Sequence, residues 1–230
     1  MPGRLSYADQ HETTISTRAA YRRVGESVTQ LPFSEASERN KGPILQVLRE
    51  ILPGIGRILE IGSGTGQHIV FFAKELSGLQ WQASDCKEYL PGLAARLCME
   101  GGENSLPAIE LNVLAPWPDQ VFDAVYSANT THIMGWDAVC AMFSGLENHL
   151  APGGYFCLYG PFNRDGRFTS PSNQIFDRQL RSRSAEMGIR DVEALESLAQ
   201  RHKIGLVSQY DMPANNQILV FRRNEEAIIG

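Results

Sequence analysis

Residues 58–68 read "ILEIGSGTGQH", and how this stretch is read decides the fold. A short apolar run ends in three glycines at alternate positions, Gly62, Gly64 and Gly66, and a helical pattern follows in which Ile69, Phe72, Ala73 and Leu76 share one face. Glycines between a strand and a helix let the backbone turn tightly and let a ligand reach the amides with no Cβ in the way. Alone, such a loop is shared by several nucleotide-type sites and by ordinary strand-to-helix turns.

Working outward, residues 37–52 form an amphipathic helix ahead of the first strand. Ile44, Leu48, Ile51 and Leu52 lie on one face, Pro43 is expected in the first turn, and Pro53-Gly54 stops the helix. "LQWQASD" is a second strand ending at Asp85, and residues 89–99 are its crossover helix. Strands recur at residues 108–113, in "FDAVYSA" and in "GGYFCLYG", each separated from the next by room for a helix. Alternating strands and helices imply a parallel sheet covered on both faces. A long loop and one more helix lead to strands at 206–210 and 217–222, whose Pro/Asn connection is too short for a crossover and makes them antiparallel.

The 230 residues, 43% hydrophobic, suit one α/β domain over residues 36–230 behind an N-terminal arm over 1–35. A net charge of −5 provides no positive field for nucleic acid, and the cluster Arg178, Arg181, Arg183 and Arg190 reads as a solvated helix face. No apolar run is long enough for a membrane span, which with the absence of a signal core points to the cytoplasm. Cys86, Cys98, Cys140 and Cys157 are widely spaced with no CxxC pair, so neither a metal site nor a disulfide framework is expected.

Two acidic residues bear on the ligand. Asp85 follows Gly66 at about the 20-residue spacing at which a carboxylate takes ribose hydroxyls, unless it caps the next helix. Glu60 just before the loop would repel the pyrophosphate of a dinucleotide, whereas S-adenosylmethionine (SAM) has no phosphate and brings an ammonium and a sulfonium. The alternative is a buried, paired glutamate.

The motifs "LEIGSGTG", "SD" (84–85), "LNV" (111–113), "FDAVYSANTTHI" and "LAPGGYFCLYG" resemble, in order, those of class I SAM-dependent methyltransferases. More narrowly, "ASERNKGPIL", "SANTTHIMGW", "YGPFNRDGRFTSPSN" and "MGIRDVEAL" resemble the methyltransferase-like family catalogued as domain of unknown function 938. The resemblance runs from about residue 36 to residue 222. It implies a Rossmann-like α/β fold, a mostly parallel seven-stranded sheet with an antiparallel C-terminal hairpin and helices on both faces. It also implies SAM as cofactor, with S-adenosylhomocysteine (SAH) as product.

By that similarity Glu60, Gly62, Ser63, Gly64, Thr65, Gly66 and His68 line the methionine end. Asp85 holds the ribose, Asn112 and Val113 flank adenine, and Asn129 borders the methyl. Asn112 stands where the wider superfamily has Asp. Arg39 and Asn40 belong to a segment that covers cofactor and substrate in similar folds.

Ligands of open α/β sheets sit beyond the carboxyl ends of the strands, which selects the segments after the fourth and fifth strands. There His132 is the candidate base and Tyr159 orients the acceptor, unless both are packed structurally. Thr131, Asn163, Arg164, Arg167, Asn173 and Asn215 complete the substrate side. Arg164 or Arg167 either holds an acidic acceptor through a bidentate contact or pairs with Asp165, and Asn215 either faces the mouth or forms the turn. The expected reaction is in-line methyl transfer to a small polar molecule, a carboxylate-bearing one if Arg164 or Arg167 binds it. A SAM-binding protein without turnover and a nicotinamide oxidoreductase are the alternatives. The sequence does not decide between monomer and homodimer.

Overall fold

The computed structural model describes residues 30–225. The expected N-terminal arm therefore lies outside the described residues over 1–29, while its last residues belong to the folded body. Ser34 caps helix α1 (Glu35–Ile51) by accepting the Ser37 amide, with Glu35 and Glu38 in the first turn at the positive end of the helix dipole. The helix thus starts earlier than its apolar face does, and Pro43 lies inside it, not in its first turn. The proline forfeits one backbone hydrogen bond. Burial of Ile44, Leu45, Val47 and Leu48 directly after it holds the helix against the sheet.

Five parallel strands follow: β1 (Gly56–Ile61), β2 (Leu79–Asp85), β3 (Ser105–Glu110), β4 (Phe122–Ala128) and β5 (Leu150–Gly160). The helices between them are α2 (Gln67–Glu75), α3 (Leu90–Glu100) and α4 (Trp136–His149). Strand β3 sits earlier than the expected 108–113. After Glu110 only the Leu111 amide still reaches Asp85 O, and a turn closed by Ala115 N on Asn112 O takes the chain off the sheet. No helix joins β3 to β4 either. Pro116 and Pro118 fall in this connection, and Trp117 between them packs on Gly145 of α4, where a Cβ would lie 2.3 Å from the indole.

Past β5 the expected long loop and single helix are replaced by a second, three-stranded sheet and two helices. Strands β6 (Phe162–Arg164) and β7 (Arg167–Phe168) form a hairpin whose turn residues Asp165 and Gly166 both have positive φ. Helix α5 (Pro171–Arg183), strand β8 (Arg190–Asp191) beside β6, and helix α6 (Val192–Arg201) complete this region. Strand β9 (Ile204–Met212), a short 3₁₀ turn and strand β10 (Asn216–Arg223) end the chain as the expected antiparallel pair.

The large sheet runs β3-β2-β1-β4-β5-β10-β9, with β10 alone reversed. One apolar cluster fills the α4/α6 face around Phe143, Phe156 and Phe221. The other fills the α1/α2/α3 face around Phe72, Trp81 and Tyr126. Among the described residues no helix is long and apolar enough to cross a membrane, and no cluster of His, Cys, Asp and Glu could hold a metal.

Buried Arg96 of α3 ties the body together. Its guanidinium donates to Thr65 O and Pro32 O, each at 2.6 Å, and pairs with Glu100 at 2.6 Å. Arg96→Ala strands two carbonyls and should cost about 2–3 kcal/mol, lowering the melting temperature by roughly 5–10 °C in a thermal scan. An unchanged melting temperature would show that the tie carries no stability.

Candidate functional site

The glycine turn leaves β1 with Gly62, Gly64 and Gly66 all at positive φ. At Gly62 a side chain would also collide with Thr130 Cγ2, 2.6 Å from the position of a Cβ, and at Gly66 with Leu93 at 2.9 Å. The Gly62 and Ser63 amides both donate to Ser84 O, which fastens the turn to β2. Ser63 Oγ in turn accepts the Ser84 amide at 3.2 Å. Space opens around Gly64, whose amide donates to Asp85 Oδ2 at 2.6 Å. The other oxygen of Asp85 accepts the Cys86 amide at 2.7 Å. Helix α3 is capped at Tyr89, so Asp85 is not a helix cap; it faces the glycine turn.

Glu60, at the end of β1, is 2% exposed, and its Oε2 has no partner among the described residues. Behind it, His68 Nε2 donates to Asn40 Oδ1 at 2.7 Å, and Tyr126 OH donates to His68 Nδ1 at 3.2 Å. An amide oxygen only accepts, so Asn40 fixes the proton on Nε2. Both ring nitrogens of His68 are therefore bonded within the protein, with Nδ1 4.0 Å from Glu60 Oε1.

The start of α1 and the residue before it pack on the beginning of α2, in part through residues the sequence did not single out. Gln67 accepts Ser34 N at 2.6 Å and the Thr65 hydroxyl at 3.0 Å, and donates to Glu38 at 3.0 Å. The Asn40 side chain also lies near Tyr159, at the end of β5. Arg39, by contrast, pairs with Glu35 in an exposed ion pair at 3.1 Å. Asn112 spends its side-chain oxygen on the Leu114 amide at 3.0 Å, and Val113 beside it is buried.

On the other side of the mouth, Asn129 takes a left-handed φ of 59° and donates its amide to Tyr159 O, joining the ends of β4 and β5. Thr130, Thr131 and His132 are buried behind it. The His132 ring meets Phe176 of α5 edge-on at 5.3 Å, and its Nδ1 is 3.7 Å from where a Cβ of Gly160 would stand. Of the six buried side-chain atoms lacking a partner among the described residues, four belong to Glu60, His132, Asn163 and Gln217, at or just past this carboxyl edge. Gln217 lies opposite Gly160 in the register of β10 on β5.

Three expected substrate contacts are occupied otherwise. Arg164 bonds Gln209 of β9, Asn173 donates to Thr169 Oγ1 and Asn215 O, and Asn215 donates to Ser172 Oγ. Asn215 is part of the hairpin turn, at φ 59°, and these bonds staple that turn to the start of α5. Arg167 is exposed, and neither arginine ion-pairs with Asp165, whose amide donates to Glu193 instead.

A family model described as "Protein of unknown function (DUF938)" matches residues 31–223. The chain belongs to the DUF938 family. Its fold is that of class I methyltransferases. An O-methyltransferase family protein from Burkholderia thailandensis matches with a TM-score of 0.72 at 12% identity, over 95% of this chain and 63% of that one. Human N-acetylserotonin methyltransferase in complex with SAM matches with a TM-score of 0.69 at 13% identity, over 97% and 60%. A methyltransferase of calicheamicin biosynthesis in its SAH-bound form matches with a TM-score of 0.63 at 16% identity, over 97% and 65%. The DUF938 chain thus spans less than two thirds of the length of these three structures.

In the DUF938 site burial shifts Glu60, His68 and His132 toward their uncharged forms. Burial pushes the Glu60 carboxyl up to about 8, with Asp85 adding to the rise. Burial brings His68 down to about 4, and burial with the nearby Arg190 charge does the same for His132. Glu60 Oε1 and His68 Nδ1 are 4.0 Å apart, yet burial holds both uncharged at neutral pH. Asp85 is raised by burial, against the two amides that it accepts. The Tyr159 phenol is pushed up by burial, against the nearby Asn40 side chain, so it stays protonated.

These shifts fix a stability profile. Glu60 binds its proton more tightly folded than unfolded, so its contribution is full in acid and lost as pH rises from about 4.5 through 8. The two histidines act oppositely: their contribution is full above 6.5 and lost as pH falls through about 4. Below 6.5 two histidines outweigh one glutamate; above it Glu60 acts alone. Melting temperature should therefore peak near pH 6.5, and Glu60→Gln should flatten the alkaline side. An equally steep alkaline fall in that variant would remove Glu60 as its source.

Proposed function

We propose that this protein is a cytosolic SAM-dependent methyltransferase acting on a small polar molecule. The observation that carries the reading is the buried Glu60 carboxyl, its Oε2 unpartnered among the described residues, just before a glycine turn that is open at Gly64. An ammonium gives the orphaned oxygen a donor and draws Glu60 toward its carboxylate form, which a pyrophosphate beside it and Asp85 would oppose. The fit extends along the edge. Glu60 would take the amino-acid end at its ammonium, Asp85 the ribose hydroxyls, and Asn112 with Val113 the adenine.

When bound, SAM supplies an electrophilic methyl carbon on a sulfonium. The protein's part is alignment and proton removal. Tyr159, protonated at the end of β5, orients the acceptor through its hydroxyl. His132 is uncharged in the neutral range, and its bare ring nitrogen accepts the acceptor's proton. A carboxylate on the acceptor would be met by Arg167, because Arg164 is committed to Gln209. The methyltransferases that share the fold, two of them described with SAM or SAH bound, support the reading.

Methyl-labelled SAM incubated with the protein and fractions of a metabolite extract tests it. Labelled product and SAH appearing only with particular fractions is the expected result. Tight SAM binding with no SAH in any fraction would make the protein a binding subunit instead.

A further inference from the structure

Arg190, one of four arginines that read as a solvated helix face, is half-buried at the start of β8. Its Nε donates to Thr131 O at 3.0 Å, and one terminal nitrogen donates to Met134 O at 2.5 Å and to Glu186 O at 2.8 Å. The guanidinium also lies over the Trp136 ring, 5.8 Å from its centroid. Two of the three carbonyls belong to the segment leaving β4, one residue before and two after His132. The same strand approach supplies a further bond, from the Gly188 amide to His132 O at 2.9 Å. The approach is itself fixed, because Asp177 of α5 accepts the Ile189 amide at 2.8 Å and pairs with Arg181 at 2.7 Å.

We propose that Arg190 is a positioning residue for His132: its guanidinium fastens the carbonyls on either side of the imidazole's residue and holds a fixed positive charge against that segment. This rests on the reading of His132 as the proton acceptor, although its test does not need methyl transfer. A guanidinium suits both tasks. Its planar fork spans several carbonyls at once, and it keeps its charge when partly buried. The charged groups around it are Asp177, Glu186 and Arg181, and Arg190 is the charge acting on His132. Burial alone already disfavours imidazolium; the adjacent cation adds to it. The ring is thus locked in place and in protonation state by one side chain that need not touch a substrate.

The test is an NMR titration of the His132 ring in the full chain, its signal assigned by its loss in His132→Asn. Two variants separate charge from geometry. Arg190→Gln still donates to a carbonyl but carries no charge, and Arg190→Lys keeps the charge without the fork. In the wild type the midpoint should lie near 4. It should rise by roughly one pH unit in Arg190→Gln and stay near the wild-type value in Arg190→Lys. An unchanged midpoint in a folded Arg190→Gln overturns the proposal, and so does an equal rise in both variants, which would assign the effect to packing. A second readout needs no variant. The Arg190 Nε–H resonance should exchange slowly with water because Thr131 O accepts it, and fast exchange would overturn the fastening role. Failure of SAM to bind would leave all of these results standing while removing the methyltransferase reading.

Discussion

His132→Ala lowers methyl transfer by roughly 100-fold or more while leaving SAM affinity nearly unchanged, the pattern expected when a positioned base is removed. His132 sits at the acceptor side of the carboxyl edge, against Phe176 and Gly160, and makes no hydrogen bond to the glycine turn. Its loss should therefore appear in kcat and not in cofactor binding. Because the ring is buried, the variant also leaves a cavity, and a melting scan separates lost stability from lost chemistry. Turnover equal to the wild type would return His132 to a packing role.

Asp85→Ala weakens SAM binding by about 1–3 kcal/mol, or roughly 5- to 150-fold in Kd, through loss of charge-assisted hydrogen bonds. Asp85 also accepts the Gly64 and Cys86 amides, so alanine loosens the glycine turn as well. Asp85→Asn separates the two effects, since one amide oxygen still accepts a backbone N–H. The account expects an intermediate loss in affinity with a near-normal melting temperature. Calorimetry showing unchanged affinity in both variants would remove Asp85 from the ribose position.

The central strands were legible because their apolar runs are buried on both faces, so "RILEI", "LQWQASD" and "FDAVYSA" fall at β1, β2 and β4. The ends of elements were less so. Helix α1 begins before its apolar face because Ser34 and the acidic first turn specify its start, and those residues pack on α2 and not in the core. The β6–β7 hairpin was overlooked although "RDGR" supplies an Asp-Gly turn, because strands of two and three residues carry no periodicity.

The site shows the same division. Glycines, Glu60 and Asp85 are local to strand ends and could be placed from spacing. Tyr126, Gln67 and Arg190 act across long separations, His68 to Tyr126 or Thr131 to Arg190, and no one-dimensional pattern marks such pairs. Arg164 shows the converse: its type suggested anion binding, yet the fold gives it Gln209.

The most direct test of the central claim is calorimetric titration of the purified protein with SAM and SAH, with NAD as control. The account expects the sulfonium compound and its product to bind and NAD not to, with Glu60→Gln and Asp85→Asn both weakening the binding. Binding of NAD with no response to SAM or SAH would contradict it and direct attention to hydride chemistry.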